Sequence, residues 1–287
     1  MPVITARRLR KVYRDSVVLD SLDFDVEEGR ILGIIGANGA GKTTVLHAIA
    51  GLVSYQGQLN VLGRNPWTER AQLMRDLAFI ADVAVLPRWI RVSQALDYVA
   101  GVHPRFDRRR AESLLAKTTI RGHNKVKELS KGMVTQLHLA LIIAIDAPLL
   151  VLDEPTLGLD LHFRKQFYDS LLSDYCDRRR TIVVTTHDAD EIQGVLTDVM
   201  FIDQGRIIFG CSMEELEARY REVMVNPENA AAARALNPIH ERHSLGRSIL
   251  LFERADPRQL ACFGDVRTPK IADLFVSLVD NRVEALR

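Results

Sequence analysis

Short apolar runs and stretches with helical spacing alternate along this sequence. The run from Ile31 to Ile35 has the length of a buried strand, and the residues from Lys42 to Ile49 follow a helical pattern. Two further runs, at 149–152 and 181–184, predict buried strands separated by a long helical segment from Leu161 to Tyr175. Strands that alternate with helices predict an α/β fold with a largely parallel sheet.

A different pattern fills the chain between these strands. From about Gln72 to Ala147 apolar residues recur at spacings of three and four, which predicts helices, and we interpret about 82–147 as an inserted helical subdomain. Residues 3–35 hold short apolar runs between charged turns, and we expect an antiparallel β subdomain in the N-terminal part. Asp203-Gln204-Gly205 predicts the turn of a hairpin that closes a domain spanning 1–210.

Residues 211–287 are expected to form a small α+β accessory region. Ser212 with Glu215 forms a possible capping box for a helix to about Tyr220, and Ser248 to Glu253 predicts a strand. Thr268-Pro269 is typical of a helix start, and the helix after it carries an apolar stripe, which we expect to be buried: Ile271, Leu274, Phe275 and Leu278. His240 to His243 lacks zinc-ligand spacing and is interpreted as a polar loop.

Composition and charge exclude several classes of protein but do not identify the function. Of the 287 residues 47% are apolar, and the formal net charge of +1 offers no sequence-wide field for nucleic acid or an anionic bilayer. Two arginine runs, at 108–110 and 178–180, are either solvated surface or docking patches. The three cysteines fit neither a disulfide framework nor a zinc site, as expected of a cytoplasmic protein. The longest apolar stretch, Leu139 to Leu152, is shorter than the about 20 residues that span a bilayer.

The turn after the first buried strand has the pattern of a phosphate-binding loop. Residues 36–43 fit G-x-x-x-x-G-K-[ST] and lie between a predicted strand and a predicted helix. Glycines let backbone N–H groups surround phosphate oxygens, and the helix N-terminus adds positive potential. We expect Lys42 to reach the β- and γ-phosphates of ATP and Thr43 to ligate Mg²⁺. The predicted phosphate-binding residues are Gly36, Asn38, Gly39, Ala40, Gly41, Lys42, Thr43 and Thr44.

A second half of the site follows the strand at 149–152. Asp153 and Glu154 come directly after four apolar residues, at the sheet edge where ligands of parallel sheets bind. Asp153 is suited to hold Mg²⁺ through water, and Glu154 to accept a proton from the attacking water. An Asp-Glu pair after a strand can also be a helix cap or a solvated turn.

Three further motifs make the sequence resemble the ABC ATPases. Residues 129–133, Leu-Ser-Lys-Gly-Met, are similar to the signature motif of that family and precede an apolar helix. Residues 157–160, Leu-Gly-Leu-Asp, follow Pro155, and His187 follows the strand at 181–186, so the order of the family's elements is reproduced. The resemblance covers roughly residues 3–210 and implies a P-loop NTPase core of the ABC type.

The resemblance also implies a site built from two protomers. Ser130 and Gly132 would contact the γ-phosphate of ATP held by the opposite subunit, and Asp160 would cross the dimer interface. His187 would sense the γ-phosphate and position the water. Tyr13 would stack on adenine, although an exposed tyrosine at the edge of the core is the alternative.

Two features depart from the commonest family pattern. Asp82 stands where the family usually has Gln, and an Asp can meet Mg²⁺ or a water but cannot donate as an amide does. Lys131 and Met133 replace the usual Gly and Gln of the signature, a form that resembles the ATPases partnering ABC-2 type permeases, often exporters.

The resemblance implies an ATP-hydrolysing transporter subunit that uses ATP and Mg²⁺. We expect it to pair with an identical or paralogous ATPase chain, and to dock a separate membrane permease near residues 82–104 at the inner face of the cell membrane. No nucleic-acid partner is expected. The alternatives are a soluble ABC ATPase acting on ribosomes or DNA, and a P-loop kinase acting on a small molecule.

Overall fold

The structure is a computed structural model that describes residues 2–80, 86–157, 164–165, 167–169, 171, 180–187, 189–244 and 246–285. Its strands are β1 (Pro2–Tyr13), β2 (Ser16–Glu27), β3 (Ile31–Ile35), β4 (Gln56–Val61), β5 (Leu77–Ile80), β6 (Leu149–Asp153), β7 (Thr181–Thr186), β8 (Asp198–Asp203), β9 (Arg206–Ser212), β10 (Tyr220–Val225), β11 (His240–Ser244), β12 (Arg247–Glu253) and β13 (Gly264–Arg267).

The helices whose full extent lies within the described residues are mostly found between these strands. They are α1 (Lys42–Ile49), α2 (Arg70–Leu73), α3 (Val92–Val102), α4 (Arg108–Ala116), α5 (Lys131–Ile143), α6 (Ala189–Ile192), α7 (Met213–Arg219), α8 (Ala230–Arg234), α9 (Pro257–Leu260) and α10 (Ile271–Ala285). Single 3₁₀ turns occur at Val126–Glu128, Gln193–Val195 and Pro227–Asn229. The predicted helix at 161–175 falls largely outside the described residues, although 164–165 and 167–169 are helical.

A six-stranded sheet lies at the centre, in the order β5-β6-β7-β3-β8-β9. Its strands are parallel apart from β9, which pairs antiparallel with β8. All the residues of β3, β6 and β7 are buried, as apolar strands covered on both faces require. The strand predictions at 31–35, 149–152 and 181–184 are confirmed, as is the hairpin turn at 203–205, where Gln204 and Gly205 adopt positive φ.

Successive side chains of β3 point to opposite faces of this sheet and so enter two different cores. Leu32 and Ile34 pack with α1 and with the antiparallel sheet β2-β1-β4. Ile31 and Ile35 pack on the other face. The N-terminal strands therefore cover one face of the central sheet, and their antiparallel pairing confirms the predicted β subdomain.

The helical segment after β5 has a small core of its own. α3, α4 and α5 bury a shared cluster that includes Val92, Leu96, Leu115, Leu137 and Leu141. This segment leads from β5 to β6 and places the N-terminus of α5 after residue 130.

The accessory region is an antiparallel sheet, β11-β12-β10-β13, whose faces enter different cores. Val223, Leu250 and Phe252 form a separate cluster with α8 and α9. Leu251 on the opposite face joins the core that also holds Ile182 and Phe201 of the central sheet. Leu274, from the predicted apolar stripe, belongs to the same core and is fully buried. The accessory region therefore covers one face of the central sheet.

Two local predictions in this region need correction. His240 to His243, interpreted as a loop, lies in strand β11. The run shows no apolar alternation, and its charges are accommodated by pairing, since Arg242 bonds to Glu222 at 2.7 Å and to Asp273 at 2.9 Å. The last helix begins at Ile271, two residues after the predicted start, and the side chain of Gln193 accepts a hydrogen bond from the Ile271 backbone N–H, which has no acceptor within the helix.

Candidate functional site

The phosphate-loop sequence forms a tight turn between β3 and α1. A Cβ added to Gly36 would lie 2.3 Å from the carbonyl oxygen of Ile202, so the backbone leaves no room for a side chain there. Gly41 has φ +106°, a conformation that side chains rarely adopt, and it caps α1. These glycines hold the backbone N–H groups of the loop around the start of the helix.

Lys42 is buried at the base of this loop, with 6% of its surface exposed. Its Nζ donates hydrogen bonds to the carbonyl oxygens of Gly36 at 2.7 Å and Ala37 at 3.2 Å. The same atom lies 3.7 Å from Oε1 of Glu154. The ammonium group of Lys42 is therefore held inside the loop, next to the carboxylate of Glu154, which follows β6.

Asp153 ends β6 and is almost completely buried, at 1% exposure. Its Oδ1 accepts a hydrogen bond from the hydroxyl of Thr185 at 2.6 Å, and its Oδ2 has no hydrogen-bond partner among the described residues. Thr185 lies directly opposite Asp153 in the pairing of β6 with β7. A buried carboxylate oxygen without a partner is costly unless a cation or water meets it, and this fits a site for Mg²⁺.

Glu154 leaves the strand with φ +45°, a rare conformation for a residue other than glycine. The hydroxyl of Thr185 accepts a hydrogen bond from its backbone N–H at 3.1 Å. Its Oε2 lies 2.6 Å from Nδ1 of His187 and accepts a bond from the His187 backbone N–H at 3.3 Å. One carboxylate thus joins the ends of β6 and β7 to the phosphate loop.

A cavity of about 370 Å³ opens over these groups. Its lining residues are Val18, Asn38, Gly39, Gly41, Lys42, Thr43, Thr44 and Glu154. The structure therefore brings most of the predicted phosphate-binding residues to one cavity, together with the predicted general base. Val18 in β2 was not predicted, since an apolar residue in a strand carries no sequence signal for a ligand contact.

Other predicted site residues lie away from this lining. Tyr13 is 41% exposed at the end of β1, and the Nζ of Lys11 lies 4.7 Å from the centre of its ring. Ser130 caps α5 by accepting a bond from the Met133 backbone N–H at 3.2 Å, and Gly132 faces open space. A single chain therefore leaves the N-terminus of α5 available to a second molecule. Asp82 and Asp160 lie outside the described residues.

Thr185 is the polar residue that the sequence reasoning missed. It links the carboxylate of Asp153 to the backbone of Glu154. The sequence signal for it is a threonine within an apolar strand. If that strand pairs with β6, the hydroxyl is expected to lie next to the two carboxylates. The pairing register itself, however, cannot be read from the sequence.

The part of the chain that the structure describes contains no helix with the length and apolar character needed to cross a bilayer.

Comparisons with known proteins identify the family. Residues 19–157 match the family described as ABC transporter. Nod factor export ATP-binding protein I of Cupriavidus metallidurans is 31% identical over 278 residues, covering 90% of this chain and 88% of that protein. Daunorubicin resistance ATP-binding protein DrrA3 of Streptomyces coeruleorubidus is 30% identical over 247 residues, covering 82% of this chain and 78% of that protein.

Solved structures share the fold. An ATP-binding subunit of an ABC transporter superposes with a TM-score of 0.69 at 23% identity, over 75% of this chain and 92% of that one. A dimeric ATP-binding cassette bound to ADP and Pi superposes with a TM-score of 0.67 at 19% identity, over 73% of this chain and 98% of that one. The chain belongs to the ABC transporter family, as an ATP-binding and ATP-hydrolysing subunit.

Proposed function

We propose that this chain hydrolyses ATP at the Lys42–Glu154–His187 site and drives a separate membrane permease, of the ABC-2 exporter type. The observation that carries the proposal is the convergence on one carboxylate: Glu154 lies 3.7 Å from the Lys42 ammonium and 2.6 Å from the His187 ring. Relatives named for Nod factor export and daunorubicin resistance support the exporter type.

The chain's own residues suggest how the reaction proceeds. Lys42 and the N–H groups of the loop bind the phosphates, and Lys42 would exchange its bonds to loop carbonyls for bonds to phosphate oxygens. Mg²⁺, when bound, would add positive charge beside the phosphates, held by Thr43 and the free oxygen of Asp153.

Glu154 is the general base in this proposal. Its carboxylate accepts the proton of the attacking water, and His187 holds the carboxylate in place and meets the γ-phosphate. Tyr13 would stack on adenine, and Asp82 would meet Mg²⁺ or a water.

The site is completed by a second ATPase chain. Ser130 and Gly132 stand at the exposed N-terminus of α5, where backbone N–H groups can bind the γ-phosphate of ATP on the partner, and Asp160 would contribute across the same interface. Size-exclusion chromatography of Glu154→Gln tests this directly. A dimer that forms with ATP and Mg²⁺, but not with ADP, is expected; a monomer under both conditions contradicts a homodimeric site.

The permease is proposed to dock on the helical segment before Pro104. Tyr98 and Val102 lie four residues apart on α3 and are 64% and 61% exposed, whereas Leu96 faces the subdomain core. Two exposed apolar side chains on one face of a helix can pack against a helix of the permease. We propose that the chain is thereby held at the cytoplasmic face of the membrane.

Cysteine crosslinking to a co-purified permease tests this docking surface. In a variant lacking the three native cysteines, Tyr98→Cys and Val102→Cys should crosslink to the permease. Glu214→Cys on the accessory region is the matched control, which should not. Crosslinking of the control position alone contradicts the assignment.

A further inference from the structure

Two short segments of the helical subdomain form one surface. Arg88–Arg91, which precedes α3, lies beside Arg121–Lys127, which precedes α5. Backbone hydrogen bonds join the second segment to the first and to the first residue of α3: Lys127 N to Arg88 O at 2.9 Å, Val126 N to Ile90 O at 3.0 Å and Val92 N to Asn124 O at 3.0 Å. Residues more than thirty positions apart in sequence are thereby fixed side by side.

This surface is strongly basic. The two segments contain five Arg and Lys residues and no Asp or Glu. None of the five forms an ion pair with any residue that the structure describes, and the nearest acid in sequence, Glu128, accepts a bond from the backbone of Lys125 at 2.8 Å. Residues 86–131 carry a net charge of +7, although the whole chain carries +1. Positive charge is therefore concentrated on this part of the molecule.

Trp89 projects from the centre of the basic segments. Its side chain is 71% exposed, the largest exposure among the large hydrophobic side chains of the described residues. The neighbouring Ile90 is buried in the subdomain core and fixes the backbone beneath it. Transfer of this exposed apolar ring surface from water to an apolar environment is favourable, so an indole held at the centre of a basic surface can add binding free energy to its charges.

We propose that this surface, formed by Arg88, Trp89, Arg91, Arg121, Lys125 and Lys127, binds the anionic headgroups of a lipid bilayer. Tryptophan favours the boundary between headgroups and acyl chains, where its ring is apolar and its N–H finds acceptors. Arginine and lysine around it pair with lipid phosphates, and their stems follow the apolar boundary. Within the range 82–104 that is expected to meet the permease, this proposal assigns Arg88, Trp89 and Arg91 to the lipid surface and leaves the exposed pair Tyr98 and Val102 on α3 to the permease.

Tryptophan fluorescence of the whole purified chain tests the insertion of Trp89. The chain has two tryptophans, so Trp67→Phe leaves Trp89 as the single reporter. Vesicles of phosphatidylcholine with about a third phosphatidylglycerol should shift its emission to the blue, and brominated acyl chains should quench it. Pure phosphatidylcholine vesicles should do neither, because the phosphates there carry a compensating choline charge. An unchanged spectrum with anionic vesicles overturns the proposal.

Vesicle flotation tests the basic residues. Arg88→Gln with Lys127→Gln should weaken partitioning onto the anionic vesicles by about 30-fold, or about fivefold for each charge removed. Arg247→Gln with Arg258→Gln, two exposed arginines of the accessory region, is the charge-matched control and should retain binding. Equal losses in both double variants would indicate a nonspecific charge effect and contradict the assignment. Capture by permease in detergent, without binding to vesicles, would assign the surface to a protein partner instead.

Discussion

The Oε2 atom of Glu154 lies 2.6 Å from Nδ1 of His187, although the two residues are 33 positions apart in sequence. Parallel pairing of β6 with β7 brings them together, because both residues follow the carboxyl ends of neighbouring strands. The other oxygen of the same carboxylate faces Lys42. The proposed general base, the histidine proposed to orient it and the lysine proposed to bind phosphate are therefore in direct contact.

Replacement of Lys42 should weaken nucleotide binding. Lys42→Ala removes a buried cation that reaches the cavity, and we expect ATP affinity to fall about ten- to a hundredfold, the equivalent of about 1.5–3 kcal/mol for hydrogen bonds to a charged group. Isothermal titration calorimetry measures this, with Lys117→Ala on the exposed surface as the control. Intact affinity in Lys42→Ala would refute the assignment of the phosphate loop.

Thr185 should strengthen Mg²⁺ binding by holding the carboxylate of Asp153 in place. Thr185→Val keeps the volume but removes the hydroxyl that holds Asp153 and the Glu154 backbone, so a higher Mg²⁺ concentration should be required for half-maximal turnover. The stability cost should be about 1–3 kcal/mol.

Thr181→Val is the matched control for this prediction. Thr181 is equally buried in β7, and its hydroxyl accepts one bond from Gly29, away from the cavity. Thr181→Val should lower the free energy of unfolding without changing the Mg²⁺ concentration required for half-maximal turnover. The same Mg²⁺ shift in both variants would mean that Thr185 acts only through the packing of the strand.

His138 in α5 should make stability depend on pH. Burial lowers the pKa of its imidazole from 6.5 to about 4, and its Nε2 has no partner among the described residues. As pH falls below 6.5 the unfolded chain takes up a proton that the folded chain excludes, so stability decreases between pH 6.5 and about 4. The loss between pH 7.5 and pH 5 should be about 2 kcal/mol.

Urea unfolding at these two pH values measures the effect, with His138→Leu as the test variant. The variant should lose less stability than the parent on acidification. His123→Gln, an exposed histidine of the same subdomain, should follow the parent. An identical pH dependence in His138→Leu and the parent would exclude His138 as the titrating group.

The accessory region should unfold together with the ATPase core. Leu274 is fully buried in the core that also holds Ile182 and Phe201, so Leu274→Ala should cost about 2–5 kcal/mol. Because the cluster is shared, calorimetry should show a single transition at a lower temperature. Val276→Ala, at an exposed position of the same helix, should change little. A separate early transition would indicate an independent domain.

Local patterns predicted the elements that depend on few neighbours. The run from Ile31 to Ile35, followed by glycines and Lys42, indicated both the strand and the phosphate loop, because burial and backbone curvature impose those residue types. The pairing register of β6 with β7 cannot be predicted from local patterns, and so the contact between Thr185 and Asp153 was missed. β11 was interpreted wrongly because its charges are stabilised by partners distant in sequence, such as Glu222 and Asp273.

The steady-state ATPase rate of Glu154→Gln tests the central claim most directly. The amide keeps the shape of the side chain but cannot accept the proton of the attacking water, so turnover should fall by about 10²- to 10⁴-fold. ATP affinity should remain, and Glu28→Gln, in an exposed turn, should retain the parent rate. Turnover in Glu154→Gln equal to that of the parent would contradict the account, because the carboxylate that joins Lys42 and His187 would then have no part in the chemistry.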